Sequence, residues 1–169
     1  MTVKEVAMTD ILSTKWRYLW KNFDHLILDT HSLGMQVLAN SNYRENPDFW
    51  SSEATRFVHK VNEVLRHHNG NRVKKFKVHF PLTSAHASEL DGWVTFAAAS
   101  HTESLVLCLC DEHGMATRHA ELYDVPLKHF SDVRGCQLRQ LWITNCSLET
   151  VPANLNGFSY LVSLLLNHV

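Results

Sequence analysis

The stretch "LRQLWITNCSL", from Leu138 to Leu148, carries the most specific pattern in the chain. Its first, fourth, sixth and eleventh positions are leucine or isoleucine, and its ninth is Cys146. Side chains alternate along a β-strand, so Leu141 and Ile143, at the fourth and sixth positions, point to one side of a strand. A unit this short buries its apolar side only against a neighbouring copy of itself. The stretch therefore predicts further copies elsewhere in the chain.

Further copies are indeed present. The stretch fits every specified position of the leucine-rich repeat template, L-x-x-L-x-L-x-x-N/C-x-L, and "VKKFKVHF", "ESLVLCLC" and "LVSLLLNHV" repeat its central part. Aligned on the fourth position, they give steps of 29, 36 and 23 residues between Phe76, Leu105, Leu141 and Leu164. The usual step is roughly 20–29 residues, so the second step contains an insertion. The sequence predicts an α/β fold, an irregular leucine-rich-repeat solenoid of parallel strands plus helices with about four rungs.

Two helices are predicted beside the strands. Apolar residues three and four apart in "ASELDGWVTFAAASH" predict a helix over 88–100, weakened by Gly92. An earlier helix is expected to begin after Ser51 as N-cap and to end at "HHNG". Its apolar side should lie against the first strand.

The composition argues against several classes of function. Lys and Arg number 16 against 17 Asp and Glu, and the formal net charge of -1 offers no general attraction to nucleic acid or an anionic membrane. No stretch approaches the roughly 20 apolar residues of a membrane helix. We therefore expect no nucleic acid and no membrane as partner. Four cysteines without a preceding signal peptide indicate reduced thiols and a cytoplasmic and/or nuclear location.

Candidate metal and catalytic residues are few. Cys108, Cys110 and His113 could suggest zinc, but the usual CxxC turn is missing. Cys110 and Cys146 both occupy the ninth template position, where a small polar side chain satisfies the turning backbone. There is no G-x-S-x-G, no H-E-x-x-H and no phosphate-binding glycine loop. We predict no metal, no cofactor and no enzymatic activity.

One row of side chains is the candidate binding surface. The fifth template position lies between two core positions and points to the opposite, concave side of the strand. The residues there are Lys77, Val106, Trp142 and Leu165, one per rung. An outward tryptophan is a residue type that anchors protein interfaces. The pattern predicts that this row binds a target protein; alternatively, Trp142 covers a neighbouring rung or the insertion before it.

The N-terminal stretch "VKEVAMTDILSTKWRYLWKNFDHLILD" differs from the repeats. Its apolar stripe has helical spacing, and its two tryptophans four residues apart form a large apolar surface that needs a partner. The part "LSTKWRYLW" resembles the end of a plant F-box, which usually reads "LSKRWRYLW". The helix ending "HHNG", the strand "VKKFKVHF", Trp93 and the last two rungs follow in an order similar to that of plant F-box/LRR-repeat proteins of the F-box/FBD/LRR-like group.

The resemblance implies a substrate adaptor of an SCF-type (Skp–cullin–F-box) ubiquitin ligase. In that family the F-box binds a Skp-type adaptor protein and the repeats bind the target protein. The resemblance implies a partial, helical F-box over residues 1–22 and a leucine-rich-repeat domain over residues 23–169. The residues that match the adaptor-binding region of the family are Ile11, Leu12, Trp16, Leu19 and Trp20.

The chain departs from the family pattern at both ends. The first F-box helix and its leucine-proline start have no counterpart, and the sequence stops at Val169 inside a strand. We therefore expect an N-terminally and C-terminally truncated member of the family. A second hypothesis is a non-ligase interaction module or decoy, which binds targets through the repeats without recruiting the adaptor.

Overall fold

The structure, a computed structural model, describes seven parts of the chain. These are residues 23–35, 47–68, 72–111, 114, 121–131, 136–149 and 156–169. The predicted F-box segment, residues 1–22, and His113 lie outside the described residues.

Five parallel strands form the main sheet, in the order β1-β2-β3-β5-β7. Each has five residues, in which side chains at the second and fourth positions point inward. Two further strands of two residues each, β4 and β6, pair in parallel as a second sheet. The bounds are β1 His25–Asp29, β2 Lys75–His79, β3 Ser104–Cys108, β4 Tyr123–Asp124, β5 Gln140–Thr144, β6 Cys146–Ser147 and β7 Ser163–Asn167.

The register of the main sheet is the one that the repeat alignment predicts. Phe76 pairs with Leu105, Leu105 with Leu141, and Leu141 with Leu164. Strand β1 adds a fifth strand to the four predicted ones, with Leu26 opposite Phe76. The α/β fold of parallel strands and helices is thus confirmed.

The opening stretch is one rung of this sheet. Four of its five template residues are buried in the core, and Leu148 packs against them. The chain turns sharply after β5 at Asn145, whose φ of 55° is one that asparagine tolerates better than most residues. Just beyond, the Cys146 thiol donates to the Thr144 carbonyl oxygen at 3.5 Å. At Cys146, the ninth template position therefore satisfies the turning backbone, as predicted from the pattern.

In the part of the chain that the structure describes, three α-helices and two short 3-10 helices connect the strands. Helix α1 begins one turn before the predicted N-cap Ser51, because proline is well suited to the first helical turn, where no N–H partner is needed. Helix α2 matches the predicted range to within one residue and continues through Gly92. Among the described helices none is long and apolar enough to cross a membrane. The bounds are α1 Pro47–His67, α2 Ala87–Ala99, α3 Lys128–Ser131, and 3-10 helices Ser84–His86 and Asn156–Phe158.

The core lies between the inward side of the sheet and the helices. Phe57 of α1 stacks on Phe80, just after β2, with ring centroids 4.4 Å apart, and meets Trp93 of α2 edge-on at 6.3 Å. The Trp93 Nε1–H donates to Asn62 Oδ1 at 2.8 Å, which satisfies the polar atom of this buried indole. These contacts join α1, α2 and β2 into one core.

The 36-residue step between β3 and β5 contains two described elements of its own, strand β4 and helix α3. Tyr123 of β4 and Phe130 of α3 are both buried. The Tyr123 hydroxyl donates to Asp91 Oδ1 at 2.7 Å, and burial raises the pKa of this phenol well above its usual value. The insertion is therefore tied to α2 and belongs to the core.

Two glycines offer a matched test of backbone strain. Gly92 lies in the middle of α2, and Gly114 has a φ of 75°; a Cβ at either position would meet no atom within 4 Å. Replacing Gly92 by alanine removes a helix penalty of roughly 1 kcal/mol, so we expect the melting temperature to rise by about 2–4 °C. Gly114→Ala should lower it instead, because alanine is strained at positive φ. A rise in both variants, measured by thermal unfolding, would contradict this account.

Candidate functional site

The outward face of the main sheet, opposite the core, brings the predicted binding residues together. We define its central row as the third residue of each strand. Lys77 pairs with Val106, Val106 with Trp142, and Trp142 with Leu165. Ile27 of β1 pairs with Lys77 and extends the row by one strand. The four residues proposed from sequence are thus direct neighbours. Ile27 is not among them because β1 lies outside the repeat pattern.

The central row is most accessible at its β5–β7 end. Trp142 is 45% exposed and Leu165 is 41% exposed, whereas Val106 beside them is 7% exposed. Trp142 and Leu165 therefore provide the open apolar surface of the row. The Trp142 Nε1–H donates to Thr144 Oγ1 at 3.1 Å. Because this bond holds the ring in place, less side-chain freedom remains to be lost on binding.

The β1–β2 end of the outward face is charged. Lys75 and Lys77 project from β2, and Asp29 projects from β1. Asp29 Oδ2 lies 4.0 Å from Lys77 Nζ, and Asp29 Oδ1 accepts the Ser32 N–H at 2.7 Å. The Asp29 carboxylate is therefore hydrogen-bonded within a turn of its own chain, and its ion-pair contact with Lys77 is long.

Thiols gather where β3 and β5 end. The Cys110 Sγ lies 3.9 Å from His79 Nε2. Burial, assisted by the neighbouring Cys108, raises the pKa of the Cys110 thiol to about 11, and the same two causes raise that of Cys146 to about 12. Within the described residues no group of three or more His, Cys, Asp or Glu side chains is arranged to hold a metal ion. The raised pKa values keep these thiols protonated, and therefore weakly nucleophilic, at neutral pH.

The raised pKa of Cys146 predicts a loss of stability in alkali. A thiol ionises at 9.0 when unperturbed and at about 12 in the folded chain, so ionisation favours the unfolded state from pH 9 upward. The free energy of unfolding should fall as the pH rises from 9 to 12. Urea unfolding of a Cys146→Ala chain should show a smaller fall over the same range. Equal falls in both chains would show that Cys146 does not contribute.

The predicted adaptor-binding residues are not among those that the structure describes. Residues 11–20, which contain all five of them, lie outside the described ranges. The geometry of the sheet therefore bears only on the target-binding residues.

Comparison with known proteins agrees with this architecture. The family model described as "At1g61320/AtMIF1, LRR domain" matches residues 64–169. The chain belongs to this leucine-rich repeat family. The matched range contains β2, β3, β5 and β7 of the main sheet, and with them four of the five residues of the central row.

Two curated proteins of Arabidopsis thaliana are similar to this LRR-domain chain. F-box/FBD/LRR-repeat protein At1g13570 is 25% identical over 169 residues, which is 100% of this chain and 34% of the relative. Putative F-box/LRR-repeat protein At3g18150 is 24% identical over 176 residues, covering 98% of this chain and 33% of the relative. The chain thus spans about a third of the length of these relatives. The resemblance to plant F-box/LRR-repeat proteins is confirmed, and no solved structure matches the chain significantly.

Proposed function

We propose that the chain recognises a target protein through the central row, as the substrate-recognition part of an SCF-type ubiquitin ligase in the cytoplasm and/or the nucleus. The observation that carries the target-binding part is the row itself, with Trp142 and Leu165 exposed side by side on paired strands. A few residues provide most of the binding energy of a protein interface, and tryptophan is one of the residue types enriched among them. The protein would perform no chemistry of its own.

The ligase part of the proposal rests on the N-terminal segment. Its "LSTKWRYLW" resembles the end of a plant F-box, and both relatives carry "F-box" in their names. The segment would bind a Skp-type adaptor protein. The residues proposed for this contact are Ile11, Leu12, Trp16, Leu19 and Trp20.

A pull-down with a purified plant Skp-type adaptor tests the ligase part. The full chain should retain the adaptor, and a Trp16→Ala/Trp20→Ala chain should lose it. Trp142→Ala is the matched control, because it removes a tryptophan from the sheet and should leave adaptor binding unchanged. Loss of adaptor from the control as well would indicate a general folding defect, which the circular dichroism spectrum of each chain would reveal.

The same pull-down distinguishes the ligase proposal from a second candidate function, that of a non-ligase interaction module or decoy. The family match supports the target-binding part of this alternative, because it covers residues 64–169, which hold four of the five central-row residues. If neither the full chain nor the double variant retains the adaptor, the ligase proposal is wrong for this chain. Target binding through the central row would then remain as the proposed function.

A further inference from the structure

On strands β2, β3, β5 and β7, the outward face is divided into a cationic part and an uncharged part. Its three positions on β2 are Lys75, Lys77 and His79. Its nine positions on β3, β5 and β7 carry no charged side chain. They are Ser104, Val106, Cys108, Gln140, Trp142, Thr144, Ser163, Leu165 and Asn167.

The cationic part has capacity for a further acidic partner. Lys77 Nζ carries three donors, and its contact with Asp29 at 4.0 Å is longer than a hydrogen bond. Lys75 forms no ion pair with the residues that the structure describes. Asp29 is the one acidic side chain at an outward position of the five strands of the main sheet, and it already accepts the Ser32 N–H. Lys75 and Lys77 would therefore attract a carboxylate of a partner, and Asp29 would compete with it only weakly.

The distance between the cationic and the uncharged part determines how long a partner segment must be to contact both. Lys77 and Trp142 lie two strands apart, and neighbouring strands are about 4.7–4.9 Å apart, so roughly 10 Å separates the two positions. An extended segment in the polyproline II conformation advances about 3.1 Å per residue with three residues per turn, so side chains three residues apart point to the same side about 9 Å apart. A segment lying across the strands would reach both parts at once.

On the basis of the proposed function above, we propose that the central row recognises an extended acidic-apolar segment of the target protein. An Asp or Glu of that segment pairs with Lys77, assisted by Lys75. An apolar side chain about three residues away packs on Trp142 and Leu165. A nucleic acid fits less well, because two lysines beside an uncharged face provide too narrow a basic patch.

Selection from a random-peptide phage library, with the full chain as bait, tests this proposal. The captured peptides should be enriched in pairs of one acidic and one large apolar residue about three positions apart. The best peptide, made with a fluorescent label, should bind about tenfold or more weakly to Lys77→Gln and to Trp142→Ala chains. Lys128→Gln, which removes an exposed lysine from α3, is the matched control and should leave binding unchanged. A reversal pair, Lys77→Glu with the peptide's acidic residue changed to lysine, should restore part of the affinity.

Each other outcome is informative. If peptide binding depends on Trp142 but not on Lys77, and the peptides are not enriched in acidic residues, the proposal of an acidic-apolar segment is wrong. The central row would remain the proposed target-binding surface. Peptides that depend on neither residue would overturn the segment and also count against the central row as the target-binding surface. If the full chain captures no peptides beyond those that a Trp142→Ala chain captures, the proposal of an acidic-apolar segment is wrong as well.

Discussion

Replacing Leu141 by alanine is expected to destabilise the chain by about 2–5 kcal/mol. Leu141 is 3% exposed, sits at the fourth position of the opening stretch and pairs with Leu105 on one side and Leu164 on the other. The substitution removes apolar atoms from the middle of the sheet and leaves a cavity that packed neighbours fill only in part. The free energy of unfolding in urea would measure the loss.

Leu164→Ala is the matched control for this prediction. Leu164 occupies the same template position one rung later, but it is 55% exposed, since β7 is the last strand of the described sheet. Its removal should cost about 1 kcal/mol or less. Equal losses for the two variants would contradict the placement of Leu141 in the core and Leu164 at its margin.

Phe57→Ala is expected to cost about 3–5 kcal/mol. Phe57 is fully buried and joins three elements, because its ring stacks on Phe80 and meets Trp93 edge-on. Aromatic pairs of this kind contribute beyond the area they bury. The loss should show as a lower urea midpoint, and should fall to about 1.5 kcal/mol in Phe57→Leu, which keeps most of the volume. A loss below about 1 kcal/mol in Phe57→Ala would mean that α1 does not pack on the sheet as described.

The strands that carry the candidate site could be predicted from the sequence because they follow two simple rules. Alternation in "LRQLWITNCSL" fixes which residues face the core, and the repeat template fixes which residues of different strands are neighbours. Together they placed Lys77, Val106, Trp142 and Leu165 in one row, and the strand register brings these residues together. Their role in binding a target protein stays a prediction.

Strand β1 follows the same alternation, and Leu26 and Leu28 are both buried. It was missed because 50 residues separate Leu26 from its partner Phe76, well beyond the usual repeat step of roughly 20–29 residues. Helix α1 lies in that interval. A search for alternating apolar residues without a fixed repeat length would have found β1.

Other features depend on the packed structure and leave little trace in the sequence. Side-chain exposure is one example. Val106 and Trp142 are neighbours in the central row, but Val106 is 7% exposed and Trp142 is 45% exposed. The start of α1 is another, because Ser51 is a suitable N-cap by type, and only the helical conformation of the residues before it places the true start at Pro47. A local sequence signal such as an N-cap residue indicates a preference for a helix start, and the surrounding structure can override it.

Target recognition by the central row can be tested in plant cells with three tagged forms of the full chain: the unaltered chain, Trp142→Ala/Leu165→Ser, and Leu122→Ser. Leu122 is 44% exposed and lies outside the main sheet, which makes it a control for the loss of an exposed apolar side chain. Proteins captured on each form, with the proteasome inhibited, would be quantified by mass spectrometry. We expect a set of proteins that the unaltered and Leu122→Ser chains share and that the double variant loses. Capture of the same proteins in the same amounts by all three forms would contradict target recognition by the central row.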